Sequence, residues 1–408
     1  MKVVLMDFAF TRSKRGAHLT RALLSKGHTV YYIINAPIYG GRRRRPVGGK
    51  LSVIEVPNPR KLLPWKGFLP RLIIQLLNSF LFLLTIIRRL RELRDADLVI
   101  TGDMHPFVDL PALFLKKVGR ALLVMDIRDS VVEDLALFIP SKLLLSLASS
   151  VGLKLMRLTC SLADAIMAHT GIMARMAMVN YTGKQVSVVY NPVDLGMFRP
   201  MDRSEAWEKC SKWLPLKELK GKFIVMYTGN MGPSQDLGRV LEAAKMLLPR
   251  EDVIFVLLGA GEHKEELLEK TREEGLKNVV FAGLVPWELI PYVLNLADAF
   301  LLPLADHPAY SAALPKKFFE YAACGKPIIC FCPEGEATRL VRKWKAGLVV
   351  NPRDISGLAK AVSWLCENRS AALSMGRNAR AMAEALFSPE RIGQQLDEFL
   401  RQLVGQVA

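Results

Sequence analysis

The chain alternates short apolar runs with amphipathic segments, and it does so twice. The first series holds strand-like runs at Lys2–Met6, Thr29–Asn35, Leu98–Thr101, Ala121–Asp126, Ala163–Ala168 and Val186–Val189, with helical patterns at Ala17–Ser25 and Leu110–Lys117. The second restarts at Phe223–Tyr227 and continues through Val253–Leu258, Val279–Ala282, Ala299–Pro303, Pro327–Phe331 and Gly347–Val350. Helical patterns at Leu237–Leu248, Glu262–Glu274, Pro286–Leu296, Lys317–Cys324 and Glu334–Lys343 separate these runs. Strands that alternate with helices build parallel sheets covered on both faces, an α/β arrangement. Pro192, Pro200 and a charged stretch mark a linker near Asn191–Ser211. The spacing therefore predicts one block over residues 1–195, a second over 196–385 and a terminal amphipathic helix within 386–408. In such sheets ligands bind beyond the carboxyl ends of the strands, so the cleft between two blocks is the expected site.

Charge divides the same way. The 408 residues carry a formal charge of +17, of which +16 belongs to residues 1–200 and +1 to the rest. A basic first half calls for an anionic partner: nucleic acid, a phospholipid surface or a phosphorylated substrate. Hydrophobic residues make up 51%, which excludes a disordered chain. The six cysteines form no CxxC pair, as expected of free thiols in a reducing cytoplasm. No apolar leader follows Met1 before Asp7. The uncharged run Leu72–Ile87 would span about 24 Å as a helix, short of the ~30 Å hydrocarbon core. Two readings remain for it: a core helix, or an interfacial one lying on anionic lipid beside Arg42–Arg45, Arg60, Lys61, Trp65, Lys66, Phe68 and Arg71.

Two motifs carry chemistry. Tyr227-Thr-Gly-Asn-Met-Gly232 follows a strand and precedes a helix, where glycine either lets backbone N–H groups approach an anion or simply makes a tight turn. In Leu314-Pro-Lys-Lys-Phe-Phe-Glu-Tyr-Ala-Ala-Cys-Gly-Lys-Pro-Ile329, Pro315 can open a helix. Lys316 and Lys317 would then stand at its positive end and call for a counter-anion such as a diphosphate. Glu320, one turn on, either reaches that ligand or pairs with a lysine along the helix.

With these residues in view, the chain resembles the GT-B retaining glycosyltransferases of family 4, the glycosyl transferases group 1. The carriers are Val189-Tyr-Asn-Pro-Val-Asp-Leu-Gly-Met-Phe198, similar to the family's linker strand, and the Pro315–Pro327 run. The Tyr227–Gly232 loop, Leu258-Gly-Ala-Gly261 and Val279–Gly283 follow at the family's intervals. Leu123–Asp129 resembles the branch that acts on lipid-linked or cell-envelope acceptors. The resemblance implies two Rossmann-like domains facing a cleft, the first for the acceptor and the second for a nucleotide-diphosphate sugar. It also implies a C-terminal helix that returns to the first domain.

The same resemblance assigns residues. Lys317 would grip the donor diphosphate, Glu320 the nucleotide ribose, Gly229, Asn230 and Gly232 the diphosphate flank, and Gly261 the nucleotide; Pro315 and Lys316 open the donor helix. His105 falls where the family places a histidine near the transferred sugar, although a strand-end histidine can equally satisfy loop backbone. Gly16 would face donor and acceptor, with Arg12 and Arg15 toward an acceptor phosphate. Asp103 and Asp129 are strand-end carboxylates open to a catalytic or a capping role; His169 also follows a strand, at the expected cleft edge, whereas His263, after the Gly-Ala-Gly loop, is read as solvent-facing. Ala312 occupies the position of the family's first glutamate in its Glu-x7-Glu pair, with Asp306 and His307 nearby. The chemistry implied is front-face displacement, in which the leaving diphosphate takes the acceptor proton and Lys317 stands in for a metal ion. No metal, no cofactor beyond the sugar nucleotide and no nucleic acid are then expected. The expected partners are a lipid-linked or phosphorylated glycan acceptor and an anionic membrane surface, with the protein peripheral on the inner face of the cell membrane. The competing classes are a basic nucleic-acid or lipid-binding protein without catalysis and a GT-B-like sugar-nucleotide epimerase.

Overall fold

The computed structural model describes residues 1–8, 14–36, 50–61, 68–102, 109–128, 142–180 and 183–406. The chain forms two compact units, Met1–Asn191 with Pro389–Ala408, and Pro192–Ser388.

The first unit holds a seven-stranded parallel sheet in the order β3-β2-β1-β4-β5-β6-β7. Its strands are β1 (Lys2–Asp7), β2 (Thr29–Asn35), β3 (Leu51–Val56), β4 (Leu98–Gly102), β5 (Leu122–Ile127), β6 (Ala165–Ala168) and β7 (Gln185–Val188). β1 and β4 are wholly or almost wholly buried, because helices cover both faces of the sheet. One face carries α1 (Lys14–Ser25), which packs Leu19 and Leu23 with Ile392, Leu396 and Phe399 of the terminal helix Pro389–Gly405. His28, at the turn into β2, contacts Asp397 of that helix at 2.6 Å. The other face carries α2 (Phe68–Arg88), α3 (Leu110–Gly119), α4 (Lys142–Leu162) and α5 (Gly171–Asn180). These bury Phe82, Ile86, Leu115, Met156 and Ala177 in one core. The order reverses between β1 and β4, which leaves a crevice at their carboxyl ends.

The uncharged run Leu72–Ile87 is thus helical. Its Ile74, Phe82 and Ile86 are core residues, while Ile73, Leu76, Leu77, Phe80 and Ile87 are exposed. The sequence pattern locates neither β3 nor α4, and it gives residues 203–210 to the linker. Those residues form a helix because Asp202 caps it, accepting a bond from the Ser204 amide at 2.7 Å.

The second unit repeats the plan with six parallel strands in the order β10-β9-β8-β11-β12-β13. They are β8 (Phe223–Asn230), β9 (Val253–Ala260), β10 (Val279–Gly283), β11 (Ala299–Pro303), β12 (Ile328–Phe331) and β13 (Gly347–Val350). β8 runs three residues beyond the expected Tyr227. The pairing with β9 continues through Gly229↔Gly259 and Asn230↔Ala260, so the glycine loop is held in the sheet. The reversal lies between β8 and β11. Helices Ile355–Glu367 and Arg369–Phe387, which the sequence pattern passes over, complete this unit's cover.

Candidate active site

In the second unit the candidate residues converge at the end of β8. Helix Lys316–Cys324 begins there, with Pro315 extended ahead of it as N-cap rather than within its first turn. Lys317 is half-buried, and its Nζ donates to the Tyr227 hydroxyl at 2.8 Å and lies 4.0 Å from that ring's centre. Tyr227, buried on β8, donates in turn to the Asn230 carbonyl. Burial lowers the Lys317 pKa to about 7, with Glu320 opposing the shift. The second turn of the helix answers in kind: the Tyr321 hydroxyl accepts from the Thr228 amide at 2.8 Å. One tyrosine from the strand and one from the helix therefore join the two elements. The motifs do not single out either tyrosine for a role, because each partner lies about 90 residues away.

Gly229 has φ +131°, and a Cβ there would sit 2.9 Å from the Lys317 ammonium. Gly259 opposite has φ +139° and would place a Cβ 1.9 Å from the Gly229 carbonyl oxygen. Only glycine fits this approach of two strand ends. Gly261 lies against the Met231 backbone in the same way, and Gly232 lies beside the Asn230 side-chain amide.

Lys316 and Lys317 part company. Lys316 turns to Glu320, 2.5 Å away along the helix, and over the Trp287 ring at 4.2 Å. Lys316 is thus engaged with Glu320 and Trp287, while Lys317 alone of the two faces Tyr227 and the Gly229 strand end. Glu320 is buried, with Lys316 at its Oε1. Ala312 is buried, and Asp306 pairs with Arg353, so neither supplies a second carboxylate beside Glu320.

In the first unit a buried charged cluster closes the carboxyl ends of β1 and β5. Arg15 grips Asp126 through two bonds, 2.7 and 2.6 Å, and donates to the Val189 carbonyl at 2.8 Å and to Asn191 Oδ1 at 3.0 Å. This corrects the expectation for Arg15. It is buried and its guanidinium is bound to protein groups, so it does not meet an acceptor phosphate. Arg128 donates to Asp126 at 3.0 Å and lies 3.4 Å from Asp7. Tyr32 donates to the other Asp7 oxygen at 2.9 Å. Burial works against the charged form of Asp126. The guanidiniums of Arg15 and Arg128 outweigh it and hold the carboxyl well below the usual carboxylate range.

Gly16 stands in the first turn of α1. A Cβ there would lie 2.2 Å from Asp7 Oδ2 and 2.4 Å from the Tyr32 hydroxyl. Glycine thus lets α1 settle on that pair. Arg12, Asp103, His105 and Asp129 lie outside the described residues, as do Arg42–Arg45. Among the described residues no group of three or more His, Cys, Asp or Glu could hold a metal ion.

Comparison with known proteins accounts for both units. The Glycosyltransferase Family 4 model matches residues 16–196, and the Glycosyl transferases group 1 model matches residues 215–382. A D-rhamnosyltransferase of Pseudomonas aeruginosa is 32% identical over 184 residues, 45% of each chain. A GDP-mannose-dependent alpha-(1-6)-phosphatidylinositol monomannoside mannosyltransferase of Mycobacterium tuberculosis is 29% identical over 225 residues, 54% of this chain and 57% of that one. The chain thus spans about half the length of these curated relatives. Sucrose-phosphate synthase from Thermosynechococcus elongatus shares the fold, with TM-score 0.76 at 17% identity over 100% of both chains. So does Anabaena HepE, solved in complex with UDP, with TM-score 0.71 at 17% identity over 98% of this chain and 100% of that one. Two parallel-sheet units, each matched by its own family model, place the chain among the GT-B glycosyltransferases of the group 1, family 4 type.

Proposed function

We propose that the protein moves a sugar from a nucleotide-diphosphate sugar to a lipid-linked or cell-envelope acceptor, with retention at the sugar carbon, beside a membrane. The observation that carries this reading is Lys317. It is a half-buried ammonium at the start of a helix, fixed by Tyr227 against the Gly229–Asn230 strand end and with no carboxylate hydrogen-bonded to its Nζ among the described residues. Such a group matches a diphosphate, which would supply the missing charge and meet the helix end. In the step proposed, the bond between sugar carbon and diphosphate oxygen breaks. The acceptor oxygen bonds to that carbon on the same face, and its proton passes to the leaving diphosphate. Lys317 and the first turn of its helix stabilise the charge that develops there. The relatives support the substrates proposed: one is named for GDP-mannose and a phosphatidylinositol mannoside, and a structural neighbour was solved with UDP.

The test is turnover of nucleotide sugars with membrane-extracted acceptors, followed by product stereochemistry. Lys317→Ala should lower turnover by about 100-fold or more while the chain stays folded. Near wild-type rates would remove Lys317 from the mechanism, and an inverted product would exclude retention. Activity should also persist in a metal chelator, since the cation at the leaving group is supplied by the chain.

A further inference from the structure

The outer surface of the α2–α5 layer differs from the rest of the molecule. Along α2, Ile73, Leu76, Leu77, Phe80 and Ile87 are 40–55% exposed. Along α4, Leu147, Val151, Leu158 and Leu162 are 47–59% exposed. The members of each set recur at three-, four- and seven-residue spacings and so form one stripe, on the side of its helix away from the core. The cover on the opposite face of the same sheet behaves as a soluble surface should. Among the described residues, α1 and the terminal helix expose no large hydrophobic side chain. The terminal helix turns Glu390, Gln394, Glu398 and Arg401 outward instead. An apolar surface of this extent on one layer marks a docking surface.

Charge identifies the partner. The segments α2, α3, α4 and α5 contain eight Lys and Arg and no Asp or Glu. Lys154 stands within the α4 stripe between Val151 and Leu158, Arg157 beside it, and Arg88 ends α2. Long cationic side chains among apolar ones suit a surface that is greasy beneath and anionic at its rim. Two copies meeting through this face would bring cations against cations, which disfavours self-association. No helix among the described residues is long and apolar enough to cross a membrane, so α2 and α4 would lie along the surface.

We infer that the outer face of α2 and α4 docks the protein flat on an anionic phospholipid bilayer, with the two stripes set into the lipid. The inference deepens the reading of a membrane-borne acceptor and, in naming lipid as the partner, rests on it. It does not depend on the Arg42–Arg45 run.

The test uses the full chain and sedimentation with phosphatidylcholine vesicles, with and without phosphatidylglycerol. The wild type should bind the anionic vesicles about tenfold more tightly or better. Leu76→Glu/Phe80→Glu and Val151→Glu/Leu158→Glu should each lose about tenfold or more of that binding while keeping nucleotide-induced thermal stabilisation. These positions are exposed, so the fold should tolerate them; as a second readout, the fluorescence of the Phe80→Trp variant should be quenched by brominated lipid. Undiminished binding by both Glu variants, or unquenched fluorescence from the Phe80→Trp variant, overturns the inference. So does a wild-type oligomer that the Glu variants dissociate without changing vesicle binding. Transfer to a water-soluble acceptor should be unchanged in the Glu variants. A wild type that binds anionic vesicles but transfers no sugar would overturn the proposed function and leave this docking surface standing.

Discussion

On the proposed function, Lys317 would couple donor binding to pH. Burial holds its pKa at about 7, far below the value of a lysine in water, so the folded protein favours the neutral amine above that pH. A bound diphosphate needs the ammonium, so binding draws in a proton. Nucleoside diphosphate affinity should therefore weaken by up to about tenfold per pH unit above 7, until the pKa of the complex is reached. Calorimetry at pH 8 in two buffers of different ionisation enthalpy should read that proton uptake, and equal heats would refute the coupling. Tyr227→Phe removes the acceptor of Lys317 Nζ and frees the Asn230 carbonyl. The charged lysine then loses a hydrogen bond, so the midpoint should move to lower pH and binding weaken by about tenfold. A purely structural tyrosine would leave the midpoint in place. In the first unit, Asp126→Ala would strand two guanidiniums inside the protein and should cost about 3–5 kcal/mol in urea unfolding.

At the scale of elements, β8 and helix Lys316–Cys324 act as a unit because each bonds the other through a tyrosine. The approach of β8 to β9 is what places Gly229 and Asn230 under Lys317. Gly259→Ala would drive a Cβ into the Gly229 carbonyl and force a residue with φ +139° into a region that side chains avoid. Loss of nucleotide binding, with destabilisation of about 1–3 kcal/mol, is expected from thermal melts with and without ligand. A variant that binds nucleotide normally would show that the strand ends do not set the cradle. The glycines were legible as a loop motif, but their task was not. A run such as Tyr227–Gly232 does not say which neighbouring strand its backbone will touch.

For the whole chain, the repeated strand–helix pattern was legible because periodicity is local: a strand buried on both faces must be apolar along its length. It located most strands to within a residue or two, and the family resemblance named the return of the terminal helix to the first unit. Deleting Pro389–Ala408 should expose Leu19, Leu23 and their neighbours on the first unit, a loss of about 1.5–3 kcal/mol for each large side chain bared. Hydrogen exchange should show α1 and β1–β3 losing protection while residues 223–350 keep theirs; uniform protection would contradict the assignment. The pattern failed at α4, a long apolar helix with few charges to mark its sides.

The sequence by itself determined the two α/β units, the placement of Lys317 and Glu320 on one helix, and the excess of positive charge in the first half. Tertiary structure decided what those charges do. Arg15 and Asp126 are 111 residues apart, and only the sheet brings them within bonding distance, which turns an expected ligand-binding arginine into an internal support. Lys316 and Lys317 are neighbours in sequence, yet the helix turns one toward Glu320 and the other toward Tyr227. The apolar run in α2 has one side in the core and one in the open, a division that depends on which sheet it packs against. In each case the cause is the same: residue type and spacing fix local geometry, whereas a side chain's partner depends on which distant elements the fold sets beside it.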